Sequence, residues 1–317
     1  MTNKSRIAMT LVHSVATALV ACGLVGLIGP PAHADRLPVP YGNGEMVRVA
    51  ITDFNGPVPG ANDYGCTPAP EHPDPVVLIT STFLTDAVNW TALAPYLHNQ
   101  GYCVFTFNYG RDMYRFPPGV PGVDPIALSA PAIVGVVDRV LAATGAKKVD
   151  LVGHSQGGLV GRYYINVLGG ADKVDQMVLI SSPWQILGPV DIMRPISEVV
   201  PRELYDAIVR NGVVWPGLLT IADPWVVEQA TVIQPHIEYT QITDIADEMN
   251  LSTLGGMANP AGVPNARTVW INEVCPTDFS THFAQPYSPT AVALVHNTLD
   301  PTHPVTPPCT VVPFYAP

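Results

Sequence analysis

Residues 148–158 read Lys-Val-Asp-Leu-Val-Gly-His-Ser-Gln-Gly-Gly, an apolar run able to form a buried strand that passes through Gly153-His154-Ser155-Gln156-Gly157 into a helix-compatible stretch. A serine framed by glycines at this spacing predicts a nucleophile elbow. The chain has to turn sharply from strand to helix, and a side chain two residues before or after the serine would clash, so both places call for glycine. The serine then stands at a helix N-terminus, where amides and the helix dipole favour the negative charge that develops in acyl transfer.

The rest of the chain repeats the same rhythm. Apolar runs predict strands over 76–80, 102–108, 149–153, 176–181, 237–243 and 268–274, with helices over 89–99, 130–143, 156–168 and 289–299. Such alternation predicts an α/β class fold, a mostly parallel sheet covered by helices on both faces. One interval breaks the pattern: residues 184–235 offer no clear strand but carry many large apolar side chains, which predicts a cap or lid inserted in the sheet domain. Those side chains serve either to pack surface helices or, in part, to face an acyl chain.

The N-terminus has the marks of a targeting segment. Lys4 and Arg6 precede a mostly apolar run over 7–28, and Ala32-His33-Ala34 is a small-x-small cleavage signal, so residues 1–34 are expected to be a signal peptide and 35–317 the exported chain. An uncleaved anchor and lipid attachment at Cys22 are lower-ranked alternatives. The exported chain retains 13 Lys and Arg against 26 Asp and Glu, a net charge of −13, which argues against a nucleic-acid partner. Its four cysteines, an even number in an oxidising compartment, predict two disulfides. Of three possible pairings, order along the chain favours Cys66 with Cys103 and Cys275 with Cys309.

A serine hydroxyl needs a histidine to take its proton and a carboxylate to orient that histidine. In sheets that carry an elbow the chain order is serine, acid, histidine. Of the histidines beyond Ser155, His236 precedes a predicted strand, His296 lies on the last helix and His303 in a proline-rich tail, which leaves His282, a short loop after the last strand. The strand over 237–243 is followed by Asp244, Asp247 and Glu248; Asp247 is the first choice as the acid and Asp244 the runner-up. The backbone amide of Gln156 is one oxyanion donor, and the second is expected in the loop after the strand over 76–80. His154 is given a supporting place only. No metal-ligand signature such as His-Glu-x-x-His is present.

Several segments together, Gly60-Ala61-Asn62-Asp63-Tyr64-Gly65-Cys66, Asn89-Trp90, Leu93-Ala94-Pro95-Tyr96-Leu97, Asn108-Tyr109-Gly110, the elbow, Tyr239-Thr240-Gln241-Ile242 and Cys275-Pro276, resemble the secreted bacterial triacylglycerol lipases of the class 2 group. The resemblance runs from about Gly60 to Cys309. It implies an α/β-hydrolase fold, an acyl-ester lipid substrate with transient contact to a lipid surface, and no cofactor. Carried over position by position, it implies Ser155, Asp247 and His282 as nucleophile, acid and base. One departure stands out. Where the family has His-Gly-Thr-Phe, this chain has Thr80-Ser81-Thr82-Phe83. The donor expected there is the Thr82 amide, and the missing glycine removes freedom where the backbone must approach the reacting carbonyl. Ester hydrolysis is therefore weighed against two other readings, a lipid-binding protein with a weakened oxyanion hole and an acyltransferase using the same residues. Oligomeric state is not legible.

Overall fold

The computed structural model describes residues 36–111, 119–184, 201, 203–204, 223–249 and 262–313. The expected signal peptide lies outside these residues, as does most of the expected cap. The first described helix, α1 (Asn43–Thr52), precedes the sheet. The six described strands are β1 (Val76–Ile79), β2 (Val104–Phe107), β3 (Val149–His154), β4 (Val174–Ile180), β5 (Glu238–Thr243) and β6 (Ala266–Trp270). They form one sheet in the order β2-β1-β3-β4-β5-β6, and every pair is parallel.

Parallel strands with both faces covered favour near-continuous apolar runs, and β1 and β3 are buried throughout, β3 taking Asp150 and His154 into the interior toward its two ends. Their side chains alternate between two cores. Val77, Ile79, Phe105, Leu151, Met177 and Leu179 point to one, which helices α4 (Ala132–Thr144), α5 (Gln156–Val167) and α6 (Pro224–Ala230) cover. Val76, Leu78, Val104, Val152, Val178 and Ile180 point to the other, under α1, α2 (Asp86–Trp90), α3 (Leu93–Asn99) and α7 (Pro289–Leu299). Each fully buried aliphatic side chain contributes roughly 1.5–3 kcal/mol, so register is fixed: a slip of one residue would turn both cores inside out.

The boundaries differ from expectation at two places for identifiable reasons. The single helix expected over 89–99 is two. Thr85 caps α2 by accepting from the Val88 amide, and Pro95, having no N–H for the Thr91 carbonyl, is tolerated only in the first turn of a new helix starting at Leu93. The strand expected over 268–274 starts at Ala266 and stops at Trp270; Ile271–Val274, which includes the poor strand formers Asn272 and Glu273, makes a helical turn instead. Elsewhere helix ends follow local chemistry. Gly145, with φ of 72°, closes α4, and Ser288 caps α7 ahead of Pro289.

Both expected disulfides are present, Cys66–Cys103 and Cys275–Cys309, with Cα separations of 5.8 and 5.1 Å. The first ties the segment before β1 to the start of β2; the second ties the chain's tail to the loop after β6. From β1 the chain passes to β2 on one side and then crosses to β3 on the other. This switch leaves a crevice above the carboxyl ends of β1 and β3, where ligands bind in open α/β sheets.

Candidate active site

Ser155 sits in that crevice, directly after β3. Its φ of 53° and ψ of −123° are costly for a residue with a side chain, and strain of this kind persists only where its surroundings over-determine it. The surroundings are visible. A Cβ on Gly157 would lie 2.2 Å from the Ile79 carbonyl oxygen, and one on Gly153 would lie 2.5 Å from the Gly158 nitrogen, so neither glycine can be replaced without moving backbone. The Ser155 amide donates to the Ile180 carbonyl at 2.9 Å, which pins the turn to the end of β4.

The loops after β5 and β6 bring two more side chains to this point. His282 Nε2 lies 2.8 Å from Ser155 Oγ, and His282 Nδ1 lies 3.1 Å from both carboxylate oxygens of Asp247. The histidine is buried, and the Asp247 side chain is fully so. A buried carboxylate is tolerable only when its lone pairs are occupied. Here Oδ1 accepts from the Met249 amide at 2.9 Å, and Oδ2 accepts from Gln285 Nε2 at 3.0 Å and from the Ser181 hydroxyl. Glu248 contributes from the same loop, its Oε2 accepting the His282 amide at 2.7 Å. Asp244, the runner-up, faces elsewhere. Its Oδ1 accepts from the Ala246 amide at 2.7 Å, and burial, with Asp278 and Asp247 adding to it, pushes its carboxyl up to about 6.

The loop after β1 completes the crevice. The register pairs Ile79 with Gly153, which sets the residues following β1 beside the elbow. The Ser81 amide is taken by Asn89 Oδ1 at 2.9 Å, whereas the Thr82 amide has no acceptor among the described residues. Ser81 keeps an ordinary φ, and the left-handed conformation falls on Phe83 (φ 69°), whose amide is held by the Pro121 carbonyl. The serine standing where the resembling family has glycine is thus accommodated without backbone strain at that position. Gly122 packs against this loop closely enough that a Cβ would lie 2.9 Å from Thr82 Cα and from Gln156 Oε1. The Gln156 side chain is fixed by the Tyr109 hydroxyl at 2.9 Å. Tyr109 also lines a cavity of about 350 Å³ with Asn108, Arg111, Asp124 and Leu128.

The sequence reading did not single out Ser181 or Gln285; it had Glu248 only as a third candidate for the acid, and Asn89 only as part of a motif with no role. Gln285 alone had a local signal, standing one helical turn past His282. Among the described residues a group that could hold a metal is Asp74, Asp150 and Asp175, at the opposite, amino ends of the strands, where Lys148 Nζ already meets Asp175 at 2.8 Å.

Residues 75–201 match the family model described as alpha/beta hydrolase fold. Triacylglycerol lipases of Pseudarthrobacter phenanthrenivorans and Burkholderia plantarii are each 29% identical over 140 residues, 43% of this chain and 41% and 36% of their own lengths. The chain therefore spans about two fifths of the relatives it matches. Among solved structures, Aspergillus fumigatus lipase B superposes with a TM-score of 0.50 at 14% identity, covering 79% of this chain and 56% of that one. Taken with the parallel sheet, these matches give the chain the α/β-hydrolase fold.

Proposed function

We propose that this chain, an α/β-hydrolase by fold, is an exported serine carboxylester hydrolase of the lipase or esterase type that cleaves acyl-lipid esters through an acyl-enzyme. The observation that carries the reading is the continuous hydrogen-bonded line from Ser155 Oγ through His282 to Asp247, mounted on a strained elbow at the switch point of the sheet. Lipids enter as the substrate class through the relatives named triacylglycerol lipase and the apolar composition of residues 184–235, read as the cap. Export is supported by the leader-like residues 1–34 and the two disulfides.

In this reading His282 Nε2 takes the Ser155 proton as Oγ attacks the ester carbonyl, and the resulting oxyanion is held by the amides of Gln156 and Thr82. His282 then gives the proton to the departing alcohol, leaving the acyl group on Ser155. Water, deprotonated by His282, releases the acid and restores the serine. Asp247 stays ionised throughout and stabilises the imidazolium. Each of these roles is filled by a protein group, so the reading calls for no cofactor and no metal. The same residues would serve acyl transfer if an alcohol replaced water. The lipid-binding reading is motivated by the Thr80-Ser81 departure, and the ordinary φ of Ser81 weighs against a loop displaced by that serine.

Labelling the purified exported chain with a fluorophosphonate tests the proposal. An adduct on Ser155 that is lost in His282→Ala is the expected result; an unlabelled Ser155 would overturn it. Product analysis with and without added alcohol separates hydrolysis from transfer.

A further inference from the structure

His154 has no part in the chemistry above, yet it is wholly buried between the two loops that the chemistry depends on. Its Nε2 lies 3.0 Å from the backbone carbonyl of His282. On the other edge its Nδ1 lies 3.1 Å from Asn89 Oδ1, the same atom that accepts the Ser81 amide at the head of the loop carrying Thr82. The His154 ring stacks at a tilt over the His282 ring, with centroids 5.2 Å apart, and Trp90 closes its far side edge-on. Because His154 is the residue immediately before Ser155, a single rigid side chain touches the nucleophile's strand, the base's backbone and the neighbour of the oxyanion loop.

We propose that His154 is a positioning residue, a buried strut that donates from Nε2 to the His282 carbonyl and thereby sets the distance between base and nucleophile, while its other edge seats Asn89 against the oxyanion loop. The inference rests on the hydrolase reading of Ser155 and His282. A neutral ring carries one proton, so only one of these two contacts is a hydrogen bond. A carbonyl can only accept, so the bond to His282 requires the proton on Nε2. Burial holds the ring neutral, pushing its pKa down to about 3 with the nearby His282 adding to the effect, so Nδ1 carries no proton of its own. Asn89 Oδ1 likewise only accepts, and it has a second lone pair beside the one that takes the Ser81 amide; the single ring proton is placed at the shorter contact, Nε2 at 3.0 Å, which leaves Nδ1 against Asn89 as a contact without a proton. The bond that matters is Nε2–H to His282.

That conclusion distinguishes two conservative replacements. A glutamine amide nitrogen reaches the place of Nε2, whereas asparagine reaches only the place of Nδ1. His154→Asn should slow fluorophosphonate labelling of Ser155 by about 10- to 100-fold, the range expected when a reacting group is misplaced by about an ångström, and His154→Gln should recover most of the rate. Equal rates in the parent and His154→Asn, or a glutamine variant no faster than asparagine, overturn the proposal. Failure of the parent to label at Ser155 overturns the hydrolase reading instead, so the two failures are distinct. If either variant does not fold, the imidazole ¹⁵N spectrum of the parent decides: a proton on His154 Nε2 is expected, and a proton on Nδ1 alone overturns the strut.

Discussion

The two ends of the same sheet treat buried carboxylates in opposite ways. At the carboxyl ends Asp247 has donors on both oxygens: the Ser181 hydroxyl, the Gln285 amide, the Met249 backbone and the His282 ring. At the amino ends Asp150 faces Asp74 and Asp175, one of its oxygens has no partner, and burial followed by these like charges pushes its carboxyl well above the ordinary range. The residue type is the same and the depth is similar. The difference lies in the donors: hydrogen bonds to a buried carboxylate favour its charged form, whereas burial beside like charges opposes it.

The largest effects should come from breaking the carboxyl end at its reacting groups. Ser155→Ala should lower ester turnover by a factor on the order of 10⁵ to 10⁶, and Asp247→Asn by about 10⁴, both read from initial rates on a chromogenic acyl ester. An Asp247→Asn rate near the parent's would move the acid's role to another residue.

The disulfides offer a matched pair, one at each end. Each closes a loop of similar size, with sequence separations of 37 and 34, so the chain-entropy argument assigns each about 4 kcal/mol. Cys66→Ser with Cys103→Ser, and Cys275→Ser with Cys309→Ser, should therefore lose similar stability in denaturant titrations. Only the second pair should also lose activity under folded conditions, because Cys275 anchors the loop that leads to His282. Equal loss of activity from both pairs would erase the distinction between the ends.

Removing one donor should show smaller costs. Ser181→Ala leaves Asp247 Oδ2 short of a partner and should cost about 1–3 kcal/mol by urea unfolding, whereas loss of the hydroxyl at exposed Thr52, which reaches only the Arg48 carbonyl, should be close to neutral.

The smallest effects concern pH. Asp150 and Asp244 both have folded pKa values above those of the unfolded chain, so the fold favours the protonated form; stability is fully present below about 3.9 and is lost as pH rises through the folded value. For Asp244 the loss falls between about 4 and about 6. Asp150→Asn and Asp244→Asn should each flatten the melting temperature against pH and raise it at pH 7.5 relative to the parent. A variant that melts lower than the parent at pH 7.5 would mean the charged form is stabilised after all.

Much of the site could be read from the sequence because its first element is local. The turn around Ser155 is dictated by residues within four positions of it, and the glycines stand where the close approaches occur. Asp247 and His282 were reachable through chain order, since each follows a strand that an apolar run announces. Ser181, Gln285 and Asn89 were not. Ser181 and Gln285 meet Asp247 across 66 and 38 residues, the ring that Asn89 lies against is 65 residues away, and nothing in a short window distinguishes a serine that ends a strand from one that also holds a carboxylate. In the sequence Asp247 is preferred to Asp244 for standing a short loop beyond the strand, and the turn after β5 aims Asp247 Oδ1 at His282 and Asp244 Oδ1 at the Ala246 amide.

What the sequence determined by itself is therefore what short-range chemistry enforces: alternating strands and helices from hydrophobic period, the elbow from glycine placement, and a short list of residues able to move a proton. What only the tertiary structure decided is which of those residues meet, which donors surround the Asp247 carboxylate, and which groups the His154 ring lies between. The physical reason is distance along the chain. Propensity and pattern act over a few residues, whereas hydrogen bonds across 35 to 128 residues exist only after six strands have been set side by side in register.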